Sequence, residues 1–98
     1  MTIQDAGQKN CEVMTKETWI KGQLAVGVYG EFVPSRSSQA VGWCLGGWVF
    51  RCYNDQDYPT ILHRIEERLG AGTGIGTWND DPLTTYEMVH QLVKELDI

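Results

Sequence analysis

The hydrophobic positions along this chain change their period several times, and each change predicts a new element. Cys11, Val13 and Met14 fall on one face of a short helix over about residues 10–17, which Thr15 and Thr18 weaken. From Ile20 to Val33 the pattern becomes β-branched and aromatic, punctuated by Gly22, Gly27 and Gly30. Period-two alternation gives Leu24, Val26 and Val28 a common strand face. Tyr29-Gly30-Glu31 supplies a turn, and Phe32-Val33 return on a second strand before Pro34 ends it. An isolated hairpin is marginal, so this one is expected to pack on helices.

Helical spacing then resumes. Ser35 to Ser38 offer capping side chains for a helix over about residues 38–53, with Val41, Cys44, Leu45, Trp48, Val49 and Cys52 as its stripe. Trp43 and Phe50 lie off the stripe, so the helix is apolar nearly all round, as a central helix should be. Gly42, Gly46 and Gly47 each cost about 1 kcal/mol relative to Ala, which implies close approach by a neighbouring backbone. Pro59 opens a third helix carrying Ile61, Leu62, Ile65 and Leu69, and Gly70 caps it. The alternating glycines from Gly70 to Gly76 predict a loop. Trp78-Asn79-Asp80-Asp81-Pro82 reads as a turn before a final helix, with Thr84 and Glu87 in capping-box register and Tyr86, Val89, Val93 and Leu96 as its stripe.

The expected fold is therefore mainly α (α+β), a small helical domain of three to four helices with a short β-hairpin. One domain over residues 1–98 suffices, with the polar, aperiodic residues 1–9 expected to fray. A chain of 98 residues buries roughly two-thirds of its unfolded surface, and 42% hydrophobic content with four Trp, four Tyr and two Phe is enough to fold on.

Charge narrows the function classes. A net charge of -5 with scattered Lys and Arg argues against direct nucleic-acid binding, which draws its affinity from clustered cations. The longest apolar run, Val41 to Phe50, is half the roughly twenty residues a membrane span needs, so no membrane partner is expected. Three cysteines, Cys11, Cys44 and Cys52, cannot all pair, and no secretory signal is recognisable, so reduced thiols and a cytoplasmic location follow.

Candidate chemistry is sparse. The Gly-rich stretch lacks both the G-x-G-x-x-G and the G-K-[ST] registers of phosphate-binding loops. Cys44 and Cys52 are too far apart on one helix to share a metal, and neither C-x-x-C nor H-x-x-x-H spacing occurs, so no metal or cofactor is expected. The cysteines read as core packing, and His63 and His90 as surface residues, rather than as a nucleophile with its base. The sharpest candidates for a ligand or interaction site are Trp78, Asn79 and Asp80. Asn79 and Asp80 can orient a ligand, but Asn and Asp before a helix also bond backbone amides in turns, which is the favoured reading, with Trp78 a hydrophobic anchor for the last helix.

Trp19-Ile20-Lys21-Gly22, then Trp43-Cys44-Leu45-Gly46-Gly47, then Trp78-Asn79-Asp80-Asp81-Pro82 and Thr84-Thr85-Tyr86-Glu87-Met88 together resemble a family of small uncharacterised proteins of actinobacteria and their phages. That family carries W-x-x-G, W-C-x-x-G-[AG], W-N-D-x-P and T-x-x-E-[VM] in this order. The resemblance covers about residues 19–93 and departs in a shorter, more polar N-terminus and in a Gly47-Trp48 pair where a small residue such as Ala is usual. It implies an origin and a fold but no activity. The expectation is a small cytoplasmic, phage-encoded accessory protein that binds a host or phage protein without catalysis. The alternative is a ligand-binding or hydrolytic domain using Asn79 and Asp80, with His63 or His90, near the Gly-rich loop. A homo-oligomer closed by the surplus tryptophans is a further expectation.

Overall fold

In the computed structural model, residues 7–70 and 72–98 are described, and they run α1 (Asn10–Val13), β1 (Ala25–Val26), β2 (Gly42–Trp43), α2 (Leu45–Cys52), α3 (Tyr58–Leu69), α4 (Ile75–Asp80) and α5 (Tyr86–Leu96). This is the expected helical α+β fold, with five helices where three to four were expected. The fraying predicted for residues 1–9 concerns, in its first six positions, residues outside those described. Gly7 and Lys9 are tied down, the Gly7 amide by the Cys52 carbonyl at 2.9 Å and the Lys9 ammonium by the Asp97 carboxylate at 2.8 Å.

α1 is only one turn, because Met14 is already extended, with ψ 133°, where the helix was expected to continue to about residue 17. What holds it is the far end of the chain. The Asn10 and Cys11 amides both donate to the Ile98 carbonyl, and the buried Asn10 side chain donates to the Trp48 carbonyl at 3.0 Å.

The short antiparallel pair is present, but its second strand is not the predicted one. β1 pairs antiparallel with β2, Ala25 opposite Trp43 and Val26 opposite Gly42, so its ladder partner is the segment read as the start of the central helix. The predicted return strand survives as a single bridge between Val26 and Phe32, flanked by Gly27 N–H to Glu31 C=O at 2.9 Å and Val33 N–H to Ala25 C=O at 3.3 Å. On the other side Trp43 bridges Trp19 in parallel, with Trp43 N–H on the Thr18 carbonyl and Ile20 N–H on the Trp43 carbonyl. These pairings hold residues 42–43 extended, so the helix starts only at Leu45.

Cys44, not a serine of residues 35–38, caps α2: its sulfur accepts the Gly47 amide at 3.4 Å. Every α2 residue except Phe50 is buried, as the all-round apolar pattern predicts. The backbone neighbour implied by the glycines is β1's approach, for a Cβ on Gly47 would overlap the Leu24 carbonyl. Trp43 packs between the Trp48 ring, 4.4 Å away, and the Arg51 guanidinium, also at 4.4 Å, and its indole N–H donates to the Ser35 carbonyl at 2.9 Å.

α3 and α5 follow their sequence stripes, burying Ile61 and Ile65, and Val89, Leu92 and Val93. Thr85 rather than Thr84 is the N-cap of α5; its hydroxyl accepts the Met88 amide at 3.3 Å, while Thr84 is buried. The end of the Gly-rich stretch and the residues read as a turn form α4 instead. The buried hydrophobic residues of all these elements make one cluster centred on Leu45, Val49, Ile65, Val89 and Val93.

The glycine geometry makes opposite predictions at two positions. Gly47→Ala should lower stability by about 1–3 kcal/mol, because backbone must move to admit a methyl group. Gly76→Ala, whose Cβ would meet open space, should raise it by about 0.4–1 kcal/mol. Urea midpoints of the two variants check both signs.

Candidate functional site

The three sequence candidates stand side by side on α4 and have three different fates. Asn79 is wholly buried, and its carboxamide is saturated. Its oxygen accepts the Trp19 indole N–H at 2.7 Å and the Leu45 amide at 3.0 Å. Its nitrogen donates to the Ile20 carbonyl at 3.1 Å and to Asp80 Oδ1 at 3.0 Å. A carboxamide has two donor hydrogens and two acceptor lone pairs, and all four are used. Asp80 Oδ1 also accepts the Gly22 amide at 2.9 Å, and the Lys21 ammonium donates to the Asp81 carbonyl at 2.6 Å.

The W-x-x-G segment, the W-C segment and the W-N-D segment, up to 60 residues apart, thus meet at one side chain. Asn79 is neither in a turn nor aimed at a ligand; it ties α4 to the start of α2 and to the segment at Trp19.

Trp78 is the candidate that remains at the surface. It is partly exposed against the core and forms, with Leu69 and Leu92, the apolar bed of a groove of about 500 Å³ between α3 and α5. Met88, 45% exposed, stands beside it, and Arg68, Glu87, Gln91 and Glu95 complete the lining. An apolar centre ringed by polar groups is the anatomy of a protein-binding surface, and Trp, Met and Arg are enriched in such sites. The rim is held in place by ion pairs. Arg68 meets Glu95 at 2.6 Å and Lys16 meets Glu87 at 3.6 Å. Glu95 is held below the usual carboxylate range by its hydrogen bond from Gln91 and then by Arg68. Glu87 is lowered first by its own backbone amide at the start of α5, then by Lys16.

Sequence reasoning found Trp78 but missed the groove. Leu69 belongs to the α3 stripe while Met88 and Leu92 lie off the α5 stripe, and only the packing of α3 beside α5 brings them together at Trp78. A usable signal was present in Met88, an apolar residue off the α5 stripe.

The hydrolytic alternative assembles less. His63 pairs with Glu67 at 2.7 Å and, with Glu66, borders an open cavity of about 640 Å³ beside the Gly-rich stretch, whose lining includes neither Asn79 nor Asp80. His90 instead stacks on Tyr86 at 5.5 Å. Cys44 is a helix cap with its thiol pushed up by burial, Cys52 is buried, and Cys11 is partly exposed. Among the described residues no three His, Cys, Asp or Glu side chains gather as metal ligands, and no helix is long and apolar enough to cross a membrane. Compared with protein families, curated proteins and solved structures, the chain finds no match.

Three measurements check this site. Asn79→Ala strands two buried N–H donors and a carbonyl at once, so its loss should reach about 3 kcal/mol or more in chemical denaturation. Lowered carboxylates contribute stability that is present above their unfolded values and lost as pH falls through the folded ones. The denaturation midpoint should therefore drop below about pH 4, and less steeply in Glu95→Gln. A thiol reagent on the folded protein should label Cys11 first, with Cys44 and Cys52 reacting only on unfolding.

Proposed function

We propose that this chain is a small, non-catalytic accessory protein that works by seating a segment of another protein in the groove over Trp78. The observation that carries the reading is the partial exposure of Trp78 on an apolar bed with Met88 beside it and a rim of paired charges. A tryptophan left at the surface by a fold that buries Trp43 and Trp48 is a natural anchor for an incoming apolar side chain. The saturated Asn79 supports the same reading from the other direction, since it makes α4 a rigid platform and spares none of its polar valences for chemistry.

The resemblance of its tryptophan motifs to small proteins of actinobacteria and their phages makes the partner a host or phage protein and the location the host cytoplasm. The acidity of the chain, -5 overall, fits a partner with a neutral or basic surface better than a nucleic acid.

The test is affinity capture from host lysate, with the tag at either end and over a range of salt, read by mass spectrometry. The wild type should enrich a specific protein. Met88→Asp should lose at least nine-tenths of that enrichment while keeping its melting temperature, and Thr60→Lys, an exposed substitution outside the groove, should keep it. Failure of the wild type to enrich any protein, or undiminished capture by Met88→Asp, would overturn the reading.

A further inference from the structure

The sheet presents its larger side chains outward. Antiparallel partners share a face, so Val26 lies on the same side as Phe32, and alternation adds Leu24, Val28 and Pro34 to that side. Leu24 is left 43% exposed, Val28 72% and Phe32 64%, while Ala25, Gly27 and Val33 are buried. A shift of one residue in register would have put the larger set inside. α2 builds a wall opposite part of this face. Leu24 leans over Gly46, its Cδ2 3.5 Å from where a Cβ would stand, and one turn further on Phe50 is the α2 residue that is not buried.

Between them lies a hollow of about 290 Å³, at the small end of the roughly 300–1,000 Å³ of ligand pockets. Its apolar walls are Leu24, Phe32, Pro34 and the Phe50–Tyr58 pair, whose ring centroids are 4.5 Å apart at 53°. Arg36 and Asp55 supply its polar side. Arg36 is fixed by the end of α2, for its Nε and Nη2 donate to the Phe50 and Tyr53 carbonyls, both at 2.7 Å. Its Nη1 donates to Asp55 Oδ1 at 2.9 Å. A guanidinium carries five N–H donors, so one N–H on each terminal nitrogen is left over. Asp55 Oδ2 accepts no hydrogen bond among the described residues. An aromatic slot of neutral balance thus holds spare donors next to a spare acceptor.

We infer that this hollow binds a free nucleobase, a flat uncharged ring whose edge sets a donor beside an acceptor. The ring lies against Phe32, Phe50 and Tyr58, since aromatic side chains accept the π-face of any base. Its N–H donates to Asp55 Oδ2, and its ring nitrogen or carbonyl oxygen accepts from the Arg36 guanidinium. The ion pair and the edge of the base are complementary, donor to acceptor and acceptor to donor. A purely apolar occupant would strip water from Arg36 and Asp55 and return no hydrogen bond. A phosphate finds no surplus cation here, because Asp55 already neutralises Arg36 and the chain carries -5 overall, so the ligand is the base and not a nucleotide or a nucleic acid. The hollow shares no residue with the groove over Trp78, so neither reading depends on the other.

Amide chemical-shift titration by nuclear magnetic resonance tests it, with adenine, cytosine and uracil as probes in turn. At least one should saturate below millimolar concentration and move the amides of residues 32–36, 50 and 55–58. Indole, a flat ring without the acceptor, should bind at least about 10-fold more weakly than that base. Asp55→Ala removes an exposed carboxylate while the two α2 carbonyls still hold Arg36. It should weaken the base about 10-fold and leave indole unchanged, whereas Phe32→Ser, which removes a wall, should weaken both. The corresponding nucleoside monophosphate should bind no more tightly than the base, and Met88→Asp should bind it like the wild type. The inference is overturned if no base saturates, if indole binds as well as the best base, if Asp55→Ala keeps wild-type affinity, or if the monophosphate binds more tightly.

Discussion

The fold hangs on the carboxamide of Asn79. It is buried, and each of its four hydrogen-bonding positions is used: by an indole N–H, the first amide of α2, a loop carbonyl and the neighbouring Asp80 carboxylate, which also accepts the Gly22 amide. An amide leaving water must recover its hydrogen bonds or cost several times the worth of one, so a side chain this fully paired fixes where all its partners stand. Through it the orientation of α4, the start of α2 and the path of residues 19–22 become one decision. The same arrangement brings the three tryptophan-bearing motifs together.

From that constraint the two surfaces follow. Tying α4 down by Asn79 leaves its neighbour Trp78 pointing across the space between α3 and α5, so the indole forms the bed of a groove instead of filling the core. Tying residues 19–22 to α4 and to β2 sets the sheet with Ala25 and Gly27 inside, where α2 meets the chain at Gly47 against the Leu24 backbone and the Glu31 side chain closes over Gly27. The larger residues of that strand are left outside. Both apolar surfaces are thus by-products of tight packing elsewhere, and both are places where water is displaced at little conformational cost.

Much of the helical part was legible. α3 announces itself by apolar spacing, a proline at the start and a glycine at the end, and α5 by apolar spacing and threonine capping, since these are local consequences of backbone geometry. The α2 glycines correctly foretold a close backbone neighbour. The errors cluster where long-range pairing overrode a local pattern. Val41, Cys44 and Trp48 sit at helical spacing, yet Gly42 and Trp43 are claimed by ladders to β1 and to Trp19, and no window of sequence contains those partners. Asn79 and Asp80 read as a turn ahead of a ligand site, and their remote partners lie 34 to 60 residues away.

What the sequence determined by itself is the helical α+β class, the helices α3 and α5 with their buried stripes, and the importance of the segment at Trp78. These rest on periodicity and capping, whose physics acts within a few residues. Only the tertiary structure decided that Asn79 is a structural tie, that Trp78 beds a groove, and that Leu24, Val28 and Phe32 face outward. Those outcomes depend on which remote groups compete for the same hydrogen bonds and the same volume, and alternation along a strand names two faces without saying which one the core will take.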